Sequence, residues 1–481
     1  MNRRMVFYLS GRILMVVACL MILPFIVGLL YHEENHILLS WGGVIALTFI
    51  CGGLLCFKKP KNKKIYVREG IMITSMSWLL LTFFGAIPFF ISGSIPSLFD
   101  AFFESASGFT TTGSSILNDV EALPHSMLFW RSFTHFIGGM GVLVFALAVM
   151  PGTNGEAIHM MKAEMPGPTF DKVVSHMSEV ARVFYKIYAS MTAIVVVCLL
   201  LSGMSLFDAF IHAFGAAGTG GFSDYNASVG HFQSPLIEWI LAIAMLIFGI
   251  NFNLYFFALH GRWKNMLKSE ELHWFLGIVL LAAGALILSV HGQYTSWMTC
   301  IRDAFFTVST IITTTGYGTV DFTKWPLFSQ MIILILMFFG GCAGSTAGGL
   351  KISRITCMAK MLLMKFRLAV NPKRVTVPMF EHKPLSRDLQ NDIGLYFILY
   401  CATFTGLILL ISFENKDFLT TFSSVAATFN NIGPGLSAVG PKGNFADFSN
   451  FSKIVLSFGM IAGRLELIPL ILLFSPRTWR I

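Results

Sequence analysis

"DAFFTVSTIITTTG", Asp303 to Gly316, is the stretch on which the reading of this chain turns. The first half of the sequence carries "DAFFESASGFTTTG", Asp100 to Gly113, and a third copy is "DAFIHAFGAAGTGG", Asp208 to Gly221. All three begin Asp-Ala-Phe and reach a glycine at the fourteenth position with no gap. A fourth, weaker copy, "TTFSSVAATFNNIG" from Thr420 to Gly433, keeps the Phe and the final Gly but lacks the Asp. Two such matches are within reach of chance in a chain rich in Phe and Ala. Three ungapped copies, each in the same place relative to its neighbours, argue for one unit repeated, and internal repetition dictates the architecture.

What surrounds the copies is apolar. Of the 481 residues 55% are hydrophobic and only 12% charged, with a mean hydropathy of +0.71. A soluble protein of this length needs far more surface charge, so composition implies a polytopic membrane protein. Ten segments approach the ~20 residues that cross a bilayer: roughly 12–31, 37–57, 70–92, 127–150, 184–204, 235–258, 272–290, 326–349, 392–413 and 453–474. The four copies fall between them, near 100–112, 208–220, 303–315 and 420–432. Each is too short to span and ends in a Gly loop, the signature of a re-entrant segment, which is tolerated only where backbone is buried or lines a cavity.

Orientation follows from charge. With ten alternating spans and a cytoplasmic N-terminus, 27 of the 34 Lys and Arg fall on the cytoplasmic side and only Arg302, Lys324, Lys416, Lys442 and Lys453 outside. This is the positive-inside bias, and it places both termini in the cytoplasm and makes the short segments dip in from outside. The formal charge of +9 therefore reports topology, and a nucleic-acid partner is not expected. The basic start and long apolar run at the N-terminus read as a retained first helix rather than a signal peptide. The eight cysteines form no CxxC pair and no metal-ligand spacing, so they read as small buried hydrophobes.

The expected fold is all-α, with ten transmembrane helices, eight of them in four helix–pore loop–helix repeats around a pseudo-fourfold pore. Residues 1–69 hold two extra N-terminal helices, 70–151 repeat one, 152–260 repeat two, 261–390 repeat three with a basic cytoplasmic segment, and 391–481 repeat four. A short helix entering from outside aims its partly negative C-terminal end at the membrane centre, which favours a cation there. The Gly that follows permits positive φ, so loop carbonyls can be aimed at an axis. Asp100, Asp208 and Asp303 are expected at the N-termini of the short helices, as caps.

Thr313–Gly318, "TTTGYG", is like the potassium-channel filter TVGYG, in which four loops ring an axis and their carbonyls replace the ion's water shell. With "SGFTTTGSS", "GTGGFS" and "NNIGPGLSAVGP", the chain resembles the Trk/Ktr/HKT superfamily of potassium uptake proteins over essentially its whole length, and the two extra helices make it similar to the TrkH/TrkG branch. The resemblance implies uptake of K⁺ across the inner membrane, a homodimer, and a cytosolic TrkA-like nucleotide-binding regulatory subunit on another chain. It places the filter at Thr111, Thr112 and Gly113; Thr219, Gly220 and Gly221; Thr314, Thr315, Gly316 and Tyr317; and Asn431, Ile432 and Gly433. Ser at the first filter Gly favours Na⁺ in some plant relatives, so Gly113 here leans toward K⁺. The copies differ, and repeats two and four lack the Thr run. One or two good cation sites are expected, with weaker exclusion of Na⁺ than in symmetric channels. A Na⁺-conducting pore, or K⁺ symport with Na⁺ or H⁺, is the alternative. No bound cofactor is expected besides the K⁺ cargo at the filter residues.

Gly340 to Gly349, within the span 326–349, holds five Gly and two Ala. Gly340, Gly344 and Gly348 have the spacing of a helix–helix contact face. The rival reading is a break in the helix beneath the filter, and the resemblance favours it, as a gate made by Gly344, Ser345, Thr346, Gly348 and Gly349 with Lys351 nearby. The GxxxxG spacing is no phosphate loop, because Leu350 stands where Lys is needed. Arg464, inside the last span, should face the bundle interior or water, and the resemblance puts a flux-checking charge there. Glu466, two residues on, does not share its helix face. Arg131 is expected to snorkel to the outer interface, and His135, His212 and Glu104 to support packing. No nucleophile–base constellation is evident, so an enzyme is not expected, and four equivalent Gly loops argue against one.

Overall fold

The protein was analysed as a computed structural model that describes residues 2–60, 66–141, 177–373 and 376–479. The described chain is helical apart from one two-residue antiparallel hairpin, Met379–Phe380 with Lys383–Pro384. Among the described residues, six helices are long and apolar enough to cross a membrane: Arg3–Leu30, Asn35–Cys56, Arg68–Ile91, Ala181–Leu201, Glu270–Gln293 and Arg387–Glu414. Their outward faces are apolar, as lipid contact requires, with Leu39, Leu201, Leu281 and Leu409 all strongly exposed.

Several of the expected spans are interrupted, as anticipated only for 326–349, because the second helix of each repeat stops or breaks. The span expected at 127–150 is a helix over His125–Gly139, with 142–150 outside the described residues along with the 151–152 repeat boundary, Lys162 and Lys172. The span at 235–258 is two helices, Pro235–Phe248 and Phe252–Leu259, bent by 90°. Asn251 causes the bend: its side chain accepts from the Asn253 N–H and starts a new helix inside an apolar run. The span at 326–349 ends at Phe339, where Gly340 adopts φ +74°, and resumes at Ile352. The last span breaks after Arg464, with Glu466 and Leu467 both at positive φ, and resumes at Ile468.

The four short helices are Leu98–Phe109, Leu206–Gly218, Trp297–Ile312 and Phe418–Phe429. Each packs against the second helix of its own unit and the second helix of the unit before it; the first uses Asn450–Arg464 of the fourth. The packing is therefore cyclic and closed. Asp100 and Asp208 lie in first turns as expected, but the caps are Ser97 and Ser205, whose hydroxyls accept from the Asp100 and Asp208 N–H. The fourth copy is capped by Asp417, three residues before Thr420. Asp303 departs from expectation: its helix begins six residues earlier, so Asp303 lies mid-helix, buried beside Arg302.

The N-terminal helices pack on repeat one. A Cβ on Gly11 would lie 2.7 Å from the Gly52 carbonyl, so here two backbones touch, the contact that small residues permit in lipid. All eight cysteines are free; Cys300, Cys342 and Cys357 are buried, while Cys19 and Cys401 are exposed.

Candidate functional site

The four short helices end in the same way. The N–H groups of Thr112, Gly220, Thr315 and Ile432 each bond the carbonyl five residues back, at 2.8–2.9 Å. Thr111, Thr219, Thr314 and Asn431, one residue earlier, bond three residues back and carry φ of +54° to +56°. This is a Schellman ending with a non-Gly residue in the left-handed position, a rare backbone that here occurs four times in register. The chain then turns again at Gly113, Gly221, Gly316 and Gly433, with φ between +76° and +101°.

These glycines close a ring. A Cβ on Gly113 would sit 2.0 Å from the Gly220 carbonyl oxygen, one on Gly221 2.0 Å from that of Thr315, and one on Gly316 2.0 Å from that of Ile432. A Cβ on Gly433 would sit 2.8 Å from that of Thr112, returning to the start. Every contact joins a glycine to the residue before the next loop's glycine. A cavity of about 160 Å³ opens over the ring and touches all four glycines. All thirteen residues expected of the filter are thus brought together at one place. Tyr317 contributes as an anchor: its hydroxyl donates to the His212 carbonyl at 2.9 Å, in space that Gly215 leaves open.

Support behind the ring is unequal. Thr110 with Thr112, and Thr313 with Thr315, pair their hydroxyls at 2.8 Å. Loop two has Gly218 and Gly220 at those positions, and the His135 ring fills the space a Gly220 side chain would take. His135 Nδ1 donates to the Gly108 carbonyl at 2.8 Å, and Nε2 accepts from the Phe222 N–H at 3.3 Å. Loop four is held by Asn431, which donates to Thr112 Oγ1 at 2.8 Å and to the Met460 carbonyl at 3.0 Å.

Arg131 overturns its expectation. It is buried at 3% side-chain exposure and pairs with Glu104, itself at 0%, at 2.5 Å. It does not snorkel because a carboxylate waits for it inside; Glu104 and Arg131 are 27 residues apart, and no local pattern couples them. His212 likewise has a partner, Ser223 Oγ at 3.1 Å from Nε2.

Directly against the ring lies the segment between Phe339 and Ile352, which is no helix contact face. Gly340, Gly344, Gly349 and Lys351 all have φ of +69° to +75°. Its two ends return to each other, with Leu350 N–H on the Phe338 carbonyl and Ile352 N–H on that of Gly341. Gly348 N–H bonds Thr314 Oγ1 at 2.7 Å, and a Cβ on Gly348 would lie 2.5 Å from the Asn430 carbonyl. Ser345 Oγ donates to the Cys342 carbonyl, Thr346 Oγ1 to that of Phe248, and the Lys351 ammonium to that of Ala347. The bend at Gly249–Asn251 receives the loop, with Cys342 N–H on Gly249 O and Phe252 N–H on Gly344 O. Arg464 reaches it from repeat four: Nη1 donates to the Thr346 carbonyl at 2.6 Å, and Nη2 to those of Gly138 and Gly139 at 2.8 and 2.7 Å. Glu466 pairs with Arg354 instead, at 2.7 Å.

The model of the family described as "TrkH: Cation transport protein" matches residues 43–481. The chain belongs to the TrkH family. Its relatives include the Trk system potassium uptake protein TrkH of Salmonella typhimurium, 37% identical over 487 residues and covering all of both chains. The TrkG protein of Escherichia coli K12 is 32% identical over 99% of each chain. The crystal structure of the potassium transporter TrkH from Vibrio parahaemolyticus superposes with a TM-score of 0.89 at 32% identity, again over the full length of both. This TrkH-family chain is an all-helical polytopic membrane protein, and membership of a transport family bears out the expectation that it is not an enzyme.

Sequence reasoning missed Glu271. Its carboxylate accepts from the Ala343 N–H at 2.7 Å and the Ser353 N–H at 3.2 Å, holding both ends of the segment against the ring. An acidic residue at the start of an apolar helix reads as a cap, and it does lie in a first turn; the signal that could have singled it out is its pairing with Glu270 at the edge of an otherwise uncharged span. Among the described residues no cluster of three or more His, Cys, Asp or Glu could hold a metal ion, so a transported cation would meet backbone and hydroxyl oxygens.

Proposed function

We propose that this chain takes up K⁺ across the cytoplasmic membrane through a filter made by the four Gly loops of one polypeptide. The observation that carries the reading is the closed ring, in which four loops repeat one backbone conformation and each glycine abuts the next loop's carbonyl. Such a ring supplies oxygens in place of a hydration shell, and the names of the full-length relatives point to K⁺. On this reading ten membrane crossings, eight of them in four units around a pseudo-fourfold axis, leave both termini in the cytoplasm. Gly113, rather than Ser, favours K⁺ over Na⁺. The unequal threonine support favours one or two strong sites over a full stack.

The segment Gly340–Lys351 is the gate, closed in this conformation by Arg464, Glu271 and Thr314. Opening it requires work from elsewhere, which fits a cytosolic nucleotide-binding regulatory subunit and assembly as a homodimer. The test is Rb⁺ uptake by proteoliposomes of purified protein. Uptake present in the wild-type protein and lowered but still measurable in Gly316→Ser supports the filter; unchanged uptake in a folded Gly316→Ser protein refutes it. Reversal potentials in mixed K⁺ and Na⁺ separate K⁺ from Na⁺ as the main ion, and dependence on a Na⁺ or pH gradient would mark coupled transport.

A further inference from the structure

We propose that the buried pair Glu104–Arg131 is a positioning element that fixes the first two loops of the ring relative to each other and so sets discrimination among monovalent cations. This rests on the reading of the ring as an ion filter.

The pair is too deep to be explained as stability. Taking two charges out of water costs about as much as their attraction returns, so a buried ion pair is weak evidence for stabilisation, and its best-attested use is to specify one arrangement. What the pair touches shows which arrangement. Glu104 accepts from Ser115 Oγ at 2.9 Å and from the Ile116 N–H at 3.0 Å. Those residues follow Gly113 by two and three positions. Arg131 Nη1 donates to the Ser223 carbonyl at 2.9 Å, and its guanidinium carbon lies 3.7 Å from the centre of the Phe222 ring. Those residues follow Gly221 by one and two positions. One buried pair of side chains therefore ties the outer flank of loop one to that of loop two.

The other repeats carry no counterpart of the ion pair, although His212, at the position of Glu104, bonds Ser223 Oγ at 3.1 Å much as Glu104 bonds Ser115. The position of Glu104 in its short helix is occupied by His212, Thr307 and Ser424 in the other three. Thr307 and Ser424 donate back into their own helices, to the Asp303 and Thr421 carbonyls. The charged brace is built where support is otherwise thinnest, since loop two has glycine at both positions where loops one and three pair threonine hydroxyls. Arg131 and His135 stand one turn apart on the same helix and reach the same loop, one through Phe222 and Ser223, the other through the Phe222 N–H. A guanidinium suits this task because its rigid fork can hold a carboxylate and a carbonyl at once, which a Lys ammonium on a flexible stem does poorly.

The test is the K⁺ to Na⁺ permeability ratio, from reversal potentials of reconstituted protein, for Arg131→Lys, Glu104→Gln, Ser115→Ala and Gly316→Ser, each checked for a single symmetric peak on size-exclusion chromatography. Arg131→Lys and Glu104→Gln should lower the ratio by about fivefold or more, as expected when a charge-assisted bond to a coordinating loop is lost. A role in folding alone would change the yield or thermal stability and leave the ratio where it was. Ser115→Ala removes one donor to Glu104 and leaves the ion pair in place; it should lower the ratio about twofold, and it carries the test if the charge variants do not fold. An unchanged ratio in the folded brace variants, with Gly316→Ser altering it, overturns the proposal. An unchanged ratio in Gly316→Ser as well means that the filter reading has failed instead.

Discussion

Arg464→Ala should open the pathway. Arg464 donates to the carbonyls of Thr346, Gly138 and Gly139, and the bond to Thr346, at 2.6 Å, holds the segment that lies against the ring. The other two, to Gly138 and Gly139, secure the end of the second helix of repeat one. A hydrogen bond to a charged group contributes about 1.5–3 kcal/mol. Losing the Thr346 bond should therefore shift the closed-to-open ratio by about 10- to 150-fold at 1.36 kcal/mol per decade. The gain in flux equals that shift as long as the closed state dominates, and it saturates once the open state does. The assay is initial Rb⁺ uptake by proteoliposomes holding this chain alone, at matched protein density, with thermal unfolding followed in parallel. Alanine also orphans the Gly138 and Gly139 carbonyls, so the protein should lose stability while it gains flux. Arg464→Lys keeps the charge but gathers its donors on one nitrogen, which cannot reach the Thr346 and the Gly138–Gly139 carbonyls as the two guanidinium nitrogens do, so its flux should fall between wild type and Arg464→Ala. Uptake equal to or below wild type in monodisperse Arg464→Ala protein would refute the idea that this side chain holds the segment shut.

Four further outcomes are expected. Gly113→Ser should reduce Rb⁺ uptake by more than about tenfold, because the new side chain meets the Gly220 carbonyl and an L-residue at φ +81° adds about 1–2 kcal/mol of strain; normal uptake would show that the ring tolerates a wider opening. Glu271→Ala frees the Ala343 and Ser353 N–H groups and should raise basal uptake by about tenfold, and a fall in uptake would mean that the carboxylate serves the open state. Tyr317→Phe removes one bond to the His212 carbonyl and should cost about 1 kcal/mol of stability, read as a lower melting temperature; an unchanged value would make the hydroxyl dispensable. Asp224, in the outer loop after Gly221, is pushed up from 3.8 to about 8 by burial and by the neighbouring Asp208 carboxylate. The folded protein keeps a proton there that the unfolded chain has lost, so this stabilisation is full below about pH 4 and gone above about pH 8. Asp224→Asn should flatten that part of the melting-temperature profile, and an unaltered slope would assign it to another group.

The repeats, the four glycines and their flanking residues were legible because the duplicated unit is written into the order of residues. A Gly thirteen positions after the start of each copy needs no tertiary information to be found. The breaks in the second helices were harder, since hydropathy averages over the two or three residues that make them. Asn251 inside "GINF" is a cap in an apolar run, and the positive φ at Glu466 and Leu467 has no sequence signature, as neither residue favours it. Arg131 was misjudged because depth along a helix was read without knowing what faces it. The partners that decide its position, Glu104 and Ser223, lie 27 and 92 residues away. Asp303 was misplaced for the opposite reason: the repeat aligned it with Asp100 and Asp208, but the third helix is 16 residues long against 12 and 13, and its extra turn lies before the aligned position.

The space behind Gly220, filled by His135 instead of a threonine hydroxyl, bears on how such a ring can change over evolutionary time. In an assembly of four identical subunits any substitution arrives fourfold, so a quarter that relies on a borrowed imidazole would impose it on every quarter. One gene with four diverged copies escapes that symmetry. Each quarter can be altered alone, and the cost falls on two neighbours only, the loop whose carbonyl abuts its glycine and the loop whose glycine abuts its own carbonyl. A division of labour among the quarters thus becomes accessible by single steps. Compensating changes should be sought in adjacent quarters rather than in those across the axis.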